Sequence, residues 1–431
     1  MKYNHMHPDD IPRLLMADEA GHIFEHPWLK MAGRSGTAFH PVFEKDLIPL
    51  PEGSELFVLP GRIPVGWDQL TDEMVAVEEG PDGERVLAVA AFMAPAYTQT
   101  ALAAYMTAGE GRASPLPLFA YSAVGWWRNR FWVAGFRSDP DRRQEPRLFN
   151  AGKLHRNTRR RMARYPGNRL IQHLGRCALT YGCPAAKNFF LGRFEAPLPT
   201  ATACNARCLG CLSFQPGAVI PPTQERIRFI PTVQEILGVA VPHLGSVNRA
   251  IVSFGQGCEG EPLQNPHLLE KAILAMRKAT TSGTINLNSN ASDPDAVGRL
   301  RRAGLDSIRI SMNSVRPALY ESYYGPVGYG YEDVIRSWKE MKALGGFVSL
   351  NLFVMPGVTD EWEELEGLMG LIHELGLDMI QLRNHNIDPD WYLESIGHRP
   401  GKRRVGIPGM VKILKKRFPG LRFGYFNPPL G

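Results

Sequence analysis

Several features are scarce in this 431-residue sequence, and each scarcity limits what the chain can be. No stretch approaches the roughly 20 apolar residues that a membrane-spanning helix requires. The first residues, MKYNHMHPDDIPRL, carry charges where a secretory signal needs an apolar core. The 6 cysteines are too few for a disulfide-rich scaffold. We therefore expect a cytoplasmic protein with no membrane partner, in which close-set cysteines act as metal ligands or catalytic groups.

The chain also lacks a strong excess of either charge. Its formal net charge is +6, and its content of 44% hydrophobic and 21% charged residues is that of an ordinary globular protein. A mildly basic chain permits an anionic partner, such as RNA or a small anionic substrate, but requires neither. The length is sufficient for one large domain and a smaller one.

The pattern of residues changes along the chain and predicts four regions. Residues 1–150 contain short β-rich runs broken by proline and glycine, which predict an N-terminal, mostly β module of unknown role. Residues 151–194 form a basic connector that opens with a helical stretch ending near Pro166. Residues 195–400 alternate strand and helix patterns, and residues 401–431 form a C-terminal extension.

The alternating region predicts a parallel sheet. Its candidate strands are LPTATA, RAIVSFGQG, GTINLNSN, SIRISMNS, FVSLNLFVMP and MIQLRNHN, each separated from the next by a helical pattern. Such βαβ units are connected by right-handed crossovers. Six units predict an α/β fold, a partial (β/α)6 TIM-like barrel, whose active site lies at the carboxyl ends of the strands. The polar, glycine-rich and cysteine-containing residues fall at those ends.

Three cysteines directly follow the first predicted strand. Cys204, Cys208 and Cys211 have the spacing C-x3-C-x2-C in ATACNARCLGCLSF. Thiolates suit iron–sulfur clusters or zinc. Three of them on one loop can reach three corners of a cubane, and the fourth iron can then chelate the amino and carboxylate groups of a methionine moiety. The alternatives are a zinc site, which lacks a fourth ligand because no histidine lies in or soon after the loop, and packing alone.

This spacing, in this position of a six-unit barrel, resembles the signature of the radical S-adenosylmethionine (SAM) superfamily, over about residues 195–390. The resemblance implies a [4Fe–4S] cluster on the three cysteines and SAM as the second cofactor. It also implies an electron donor such as flavodoxin or ferredoxin, and reductive cleavage of SAM to a 5′-deoxyadenosyl radical that abstracts hydrogen from a substrate. One departure is Gly210, where the family usually has an aromatic residue near the adenine.

The loop after the second predicted strand carries a second point of resemblance. Gly260, Glu261 and Pro262 resemble the family's GGE or GEP motif, whose acidic residue receives the SAM ammonium group in a charge-assisted hydrogen bond. Glycine allows a close backbone approach, and proline fixes the turn. On its own, the tripeptide could equally be a surface turn.

The resemblance also implies roles for polar side chains at later strand ends. They would contact the SAM carboxylate and the ribose hydroxyls, because buried polar groups of a ligand need partners. The alternative is polar capping of strand ends. The candidates are Asn288 on the third strand, Ser311 and Asn313 on one face of the fourth, and Arg383 on the sixth.

The sequence leaves the substrate open among RNA, a peptide and a small metabolite. RNA is suggested, without being favoured, by a basic stretch and an aromatic run, whose simpler interpretation is a solvated helix face and a packed hairpin. These residues are Arg156, Arg159, Arg160, Arg161 and Arg164, and Trp126, Trp127, Phe131 and Trp132.

Two further questions stay open at this point. Cys177, Cys183 and Cys258 either bind a second cluster or are buried free thiols, and free thiols are the simpler interpretation. The competing class for the whole chain is a non-catalytic iron–sulfur or zinc-binding protein on a barrel scaffold. That class would need neither Glu261 nor SAM binding.

Overall fold

The computed structural model describes residues 11–108, 113–215 and 220–430, so most of the N-terminal segment considered above lies outside the described residues. The chain divides into two compact units. Unit 1 comprises the residues up to Pro140 together with Phe353–Leu368 and Leu382–Pro419. Unit 2 comprises Asp141–Leu352, Met369–Gln381 and the residues from Gly420 on.

Unit 1 contains the predicted mostly β module. Its strands pair antiparallel in every register that joins them. The strands are β1 Arg13–Ala17, β2 Ile23–Ser35, β3 Ala38–Pro41, β4 Leu47–Pro49, β5 Glu55–Leu59, β6 Arg62–Asp68, β7 Glu73–Ala76, β8 Leu87–Phe92, β9 Tyr97–Gln99, β10 Leu102–Ala103, β11 Tyr105–Thr107, β12 Val124–Trp127 and β13 Arg130–Arg137.

The aromatic run considered above forms the hairpin of β12 and β13. Arg128 and Asn129 connect the strands with φ of 50° and 58°, as a tight hairpin turn requires. The rings pack in pairs across the hairpin, with centroids 4.8 Å apart for Trp126 with Phe131 and 4.9 Å for Trp127 with Trp132. These aromatic side chains are therefore engaged with one another.

Unit 2 opens with three helices where the basic connector is predicted. They are α1 Ala151–Arg164, α2 Arg169–Leu179 and α3 Pro184–Leu191. Leu154 and Thr158 form the buried face of α1, and Asn150 caps its first turn. Arg161 lies over the Phe189 ring at 4.1 Å, while Arg156, Arg159, Arg160 and Arg164 are exposed to solvent.

The predicted partial α/β barrel is confirmed, with one more strand than the sequence pattern suggests. The sheet order follows the chain, and the registers from β14 to β18 and between β19 and β20 are parallel. The strands are β14 Glu195–Pro197, β15 Ile251–Phe254, β16 Thr284–Ser289, β17 Ser307–Met312, β18 Phe347–Val354, β19 Met379–Asn384 and β20 Arg422–Gly424.

The helices that follow these strands begin and end at residues suited to helix termini. Thr232 and Glu235 form a capping box at the start of α4, and α6 lies between Asp293 and Gly304, whose φ is 116°. Among the described residues, no helix combines the length and the apolar character needed to cross a membrane. The helices are α4 Val233–Ser246, α5 Pro266–Ala279, α6 Pro294–Ala303, α7 Pro317–Tyr324, α8 Tyr331–Ala343, α9 Trp362–Leu375, α10 Pro389–Ser395 and α11 Ile407–Arg417.

A buried polar network links several barrel strands. The Asn427 amide nitrogen donates to Glu195 Oε1 at 2.8 Å and to Asn288 Oδ1 at 3.2 Å. Gln381 Nε2 donates to Asn427 Oδ1 at 3.0 Å, and Ser253 donates to the same Glu195 oxygen. Asn427 thus connects β14, β15, β16 and β19, although it lies in the C-terminal extension, after β20.

We predict that Asn427→Ala destabilises unit 2. The substitution leaves the buried Glu195 carboxyl and Gln381 amide without one of their partners, which costs about 2 kcal/mol in the free energy of unfolding. Urea denaturation followed by circular dichroism measures the effect. Asn248→Ala, at an exposed position, is the matched control and should leave the midpoint unchanged. Equal midpoints for the two variants would contradict a stabilising role for the network.

Candidate functional site

The loop that carries the cysteine triplet is held by neighbouring backbone. It follows β14, and Cys204, Cys208 and Cys211 are all half-buried. The Arg207 N–H donates to the Tyr324 carbonyl at 2.7 Å, and the Leu209 N–H donates to the Tyr323 carbonyl at 3.0 Å. The end of α7, which the sequence pattern does not reveal, therefore supports the cysteine loop.

The three thiols do not converge on one point. Around a tetrahedral zinc ion, with Zn–S about 2.3 Å, sulfurs stand about 3.8 Å apart. Among the described residues, only one group of three metal-ligating side chains has all its ligand atoms within 4.8 Å of one another, and this triplet is not that group. Thiolates of a cubane each bind a different iron and stand further apart. The three thiols are thus not placed as ligands of one zinc ion, and thiolates are the donors that an iron–sulfur cluster takes.

Burial keeps the Cys204 and Cys208 thiols protonated until a metal replaces the proton. Burial, together with the nearby Glu261 carboxylate, raises the pKa of Cys204 to about 11. Burial and the other two cysteines raise the pKa of Cys208 well above its ordinary value. Metal binding therefore releases protons here, as it does at other thiolate sites.

A cation that sequence reasoning missed lies beside the third cysteine. Arg226 Nη2 is 3.4 Å from Cys211 Sγ, and its Nε donates to Ser213 Oγ at 3.2 Å. The guanidinium places a permanent positive charge next to one sulfur of the triplet. No spacing relative to the cysteines marks Arg226 in the sequence, since it lies 15 residues beyond Cys211.

The loop after β15 runs directly against the residues that precede Cys204. The Gly260 N–H donates to the Ala201 carbonyl at 2.8 Å, and the Glu261 N–H donates to the Ala203 carbonyl at 2.9 Å. A Cβ added at Gly260 would lie 1.9 Å from the Ala203 carbonyl oxygen, so only glycine fits. The predicted tripeptide and the cysteine loop are therefore brought together.

The Glu261 carboxylate is buried at the centre of this arrangement, with 5% of the residue exposed. Its Oε1 accepts from Ser289 Oγ at 2.6 Å and from the Leu263 N–H at 3.0 Å. Its Oε2 accepts from the Asn290 N–H at 2.8 Å. Burial raises the pKa of Glu261, and these hydrogen bonds oppose the rise. Each carboxylate oxygen can accept two bonds, so Oε2 has capacity for a further donor.

A second buried carboxylate, Glu259, was not singled out from the sequence. Its Oε2 accepts from the backbone N–H groups of Thr200 at 2.6 Å and Ala201 at 2.9 Å, and its Oε1 accepts from the Gln256 N–H at 2.7 Å. Burial raises the pKa of Glu259 to about 8 despite these bonds. Glu259 thus fastens its loop to the segment after β14. The sequence shows two acidic residues in this loop, and it does not reveal that Glu259 is the one that accepts hydrogen bonds from the segment after β14.

The third strand end also contacts the cysteine loop. Asn290 Nδ2 donates to Asn205 Oδ1 at 2.9 Å, and Asn205 Nδ2 donates to Ser292 Oγ at 3.0 Å. The predicted residue Asn288 lies two positions earlier and donates to the Gly255 carbonyl at 2.8 Å. Asn290, which belongs to the same predicted strand end, is therefore the residue that meets the cysteine loop.

The remaining predicted residues lie at other strand ends. Asn313 is buried, and its Nδ2 donates to the Leu319 carbonyl at 3.1 Å, whereas Ser311 is half-buried on β17. Arg383 lies on β19 and belongs to unit 1, whereas the cysteines belong to unit 2. The contacts described above join Cys204, Gly260 and Glu261, and a SAM-binding role for these three other residues stays a prediction.

Comparison with known proteins identifies the family. Residues 198–372 match the model of the Radical SAM superfamily. Molybdenum cofactor biosynthesis protein 1 of Mus musculus is 26% identical over 221 residues, which are 51% of this chain and 31% of the mouse protein. The match therefore spans less than a third of the length of that curated relative.

Two solved structures match part of the chain with low TM-scores. The FeFe-hydrogenase maturase HydG of Carboxydothermus hydrogenoformans is 14% identical with a TM-score of 0.38, over 62% of this chain and 68% of that one. Methylornithine synthase (PylB) is 16% identical with a TM-score of 0.36, over 56% and 68%. Both TM-scores are low, and the family assignment rests on residues 198–372.

Residues 198–372 of this chain are a Radical SAM superfamily domain. The members of this superfamily are enzymes, and the chain's cofactors are accordingly a [4Fe–4S] cluster and SAM. The resemblance seen in the sequence is thus confirmed at the level of the superfamily, and no subfamily is distinguished.

We predict that Gly260→Ala disrupts the site. The added methyl group must displace the Ala203 backbone, and such overpacking typically costs about 1–3 kcal/mol. The protein should show a lower melting temperature and retain less iron per chain after anaerobic reconstitution. Gly245→Ala is the matched control, because a Cβ there meets no atom within 4 Å. Unchanged iron content in Gly260→Ala would show that the close approach is not required.

Proposed function

We propose that this chain cleaves SAM reductively at a [4Fe–4S] cluster held by Cys204, Cys208 and Cys211, and that the resulting 5′-deoxyadenosyl radical abstracts hydrogen from a substrate. The observation that carries the proposal is the joining of the cysteine loop to a buried carboxylate. The Glu261 N–H donates to the Ala203 carbonyl, one residue before Cys204. A ligand for a cluster and a partner for an ammonium group thus stand side by side.

The protein residues position and enclose the cofactors. When bound, the cluster supplies an electron and an open iron site, and SAM supplies the adenosyl group. The three cysteines would hold irons of the cluster, and Glu261, whose carboxylate can accept a further hydrogen bond, would receive the SAM ammonium group. Gly260 and Pro262 let this loop approach closely and fix its turn. Glu259 keeps the loop against the segment after β14 through its bonds to Thr200 and Ala201.

Polar groups at the later strand ends complete the proposed SAM site. Asn288, Ser311, Asn313 and Arg383 would contact the SAM carboxylate and the ribose hydroxyls. The amides of Asn288 and Asn313 already donate to backbone carbonyls, which fixes their orientation before SAM binds. Orientation in advance reduces the ordering cost of binding.

Radical SAM enzymes require a reductant and a substrate, and we propose flavodoxin or ferredoxin as the reductant. The formal net charge of +6 would favour encounter with an acidic electron carrier. All six cysteines are free, as in proteins of a reducing compartment, which supports a cytoplasmic location.

The substrate stays open among RNA, a peptide and a small metabolite. Exposed arginines on α1 could pair with phosphates, which keeps RNA among the candidates. However, Arg161 lies over Phe189, and the aromatic residues of the β12–β13 hairpin pack against one another. Neither Arg161 nor these aromatic rings therefore offer a free surface on which bases could stack. Nucleic acid is not the favoured substrate.

We expect the anaerobically reconstituted protein, given dithionite and SAM, to form 5′-deoxyadenosine, detected by chromatography. Cys208→Ala should abolish the product, because it removes one of three cluster ligands. Cys183→Ala removes a cysteine outside the triplet and should retain activity.

A well-loaded, reducible cluster that yields no product would direct the test to SAM binding, since substrate can be required for turnover. Failure to hold a cluster or to bind SAM would overturn the proposal. The non-catalytic iron–sulfur or zinc-binding alternative would then take its place.

We predict that Glu261→Gln weakens SAM binding about 10- to 100-fold, because it removes a charge-assisted hydrogen bond of about 1.5–3 kcal/mol. Equilibrium dialysis with reconstituted protein of matched iron content measures the affinity. Glu332→Gln, which changes an exposed carboxylate on α8, should bind SAM as the unchanged protein does. Equal affinities for both variants would exclude Glu261 as the ammonium partner.

A further inference from the structure

Two of the cysteines outside the triplet meet a histidine. His173 and Cys177 lie four residues apart on one face of α2, and Cys258 lies in the loop after β15. His173 Nε2 is 3.4 Å from Cys258 Sγ and 3.5 Å from Cys177 Sγ. All three ligand atoms lie within 4.8 Å of one another.

These separations are those of ligands around one tetrahedral ion. With Zn–N about 2.0 Å and Zn–S about 2.3 Å, a tetrahedral angle places nitrogen and sulfur about 3.5 Å apart. Both observed nitrogen–sulfur distances agree with that value. A neutral imidazole nitrogen either donates its one proton or accepts one with its lone pair. One such hydrogen bond explains the contact of His173 Nε2 with one sulfur, but not the equally short contact with the other.

We propose that His173, Cys177 and Cys258 bind one zinc-class divalent cation, at a site distinct from the cysteine triplet. Two thiolates neutralise the charge of the ion, and an imidazole with two thiolates is a ligand set that zinc accepts. Three protein ligands leave a fourth coordination position for water or another small ligand.

An entry path to this site is present. Cys177 and Cys258 are buried, with 2% and 5% of each residue exposed, whereas His173 is half-buried. His173 also lines a cavity of about 590 Å³ together with Gln172, Arg176 and Phe229. An ion can therefore reach the site from the side of the histidine, while the sulfurs are protected from solvent.

The geometry does not suit a second cubane cluster. The thiolates of such a cluster bind different irons and stand further apart than the ligands of one ion. Cys183, the other candidate for a second cluster, is not part of the convergent group. Its N–H donates to the Cys177 carbonyl at 3.0 Å, so its backbone is a neighbour of the site.

The proposed ion would fix the loop that carries both buried carboxylates. Cys258 directly precedes Glu259, and its carbonyl accepts from the Ile227 N–H at 2.8 Å. Coordination by Cys258 would tie this loop to α2. The ion is thus a structural link between α2 and the loop.

The test uses the full chain with Cys204, Cys208 and Cys211 all changed to alanine, so that zinc has no access to the triplet. We expect this protein to bind one equivalent of Zn²⁺ in competition with a chromophoric chelator. Adding Cys177→Ala or Cys258→Ala should remove that equivalent. Adding Cys183→Ala is the matched control and should preserve it.

Cobalt gives a readout that does not depend on the folding of the variants. The unchanged protein, with its cluster reconstituted, should bind one Co²⁺ with the intense visible bands of tetrahedral coordination and with sulfur-to-cobalt charge transfer. No stoichiometric Zn²⁺ binding by the triple variant, or a weak octahedral Co²⁺ spectrum, would overturn the proposal. A Cys177–Cys258 disulfide in protein purified under reducing conditions would also overturn it. Binding is measured without SAM, so the outcome is independent of SAM cleavage.

Discussion

The close contact between two loops determines the rest of the candidate site. Backbone hydrogen bonds from Gly260 and Glu261 to Ala201 and Ala203 bring the loop after β15 against the residues that precede Cys204. The approach is so close that no side chain fits at Gly260. The two loops follow the neighbouring parallel strands β14 and β15, and the carboxyl ends of these strands lie at the same edge of the sheet. Cluster ligands and an acidic group are therefore adjacent as a consequence of the fold.

Burying two carboxylates in this region costs solvation free energy, and hydrogen bonds from backbone N–H groups offset part of that cost. Glu259 accepts three backbone N–H groups, and Glu261 accepts two together with the Ser289 hydroxyl. Burial still raises the pKa of both groups, so the hydrogen bonds offset desolvation only in part. An arriving ammonium group would add the missing positive charge. A cationic ligand group, such as the SAM ammonium that we propose, would oppose this rise in pKa.

Sequence patterns predicted the larger elements of the barrel because those elements have strong local signals. The predicted helix PHLLEKAILAMRKA is α5, and Asp293 and Gly304 flank α6 as capping chemistry requires. The predicted position of the first strand was wrong, because β14 ends at Pro197, directly before the predicted run LPTATA, and α7 and β20 were not anticipated. Each of these three elements is eight residues or shorter, too short for a clear period, and β14 and β20 are defined by pairing with neighbours.

The amino-acid sequence by itself determined the family signature, since the spacing of Cys204, Cys208 and Cys211 is local and the strand–helix alternation is periodic. Tertiary structure decided which distant side chains meet. Cys177 and Cys258 are 81 positions apart in the chain, and the sequence left open whether they share a cluster or are free thiols, yet both lie against His173. Likewise, only the fold shows that Glu259, which no motif marks, accepts three backbone N–H groups. Hydrogen bonds and metal ligands depend on distances in space, and a spacing along the chain fixes such distances only within one loop or helix.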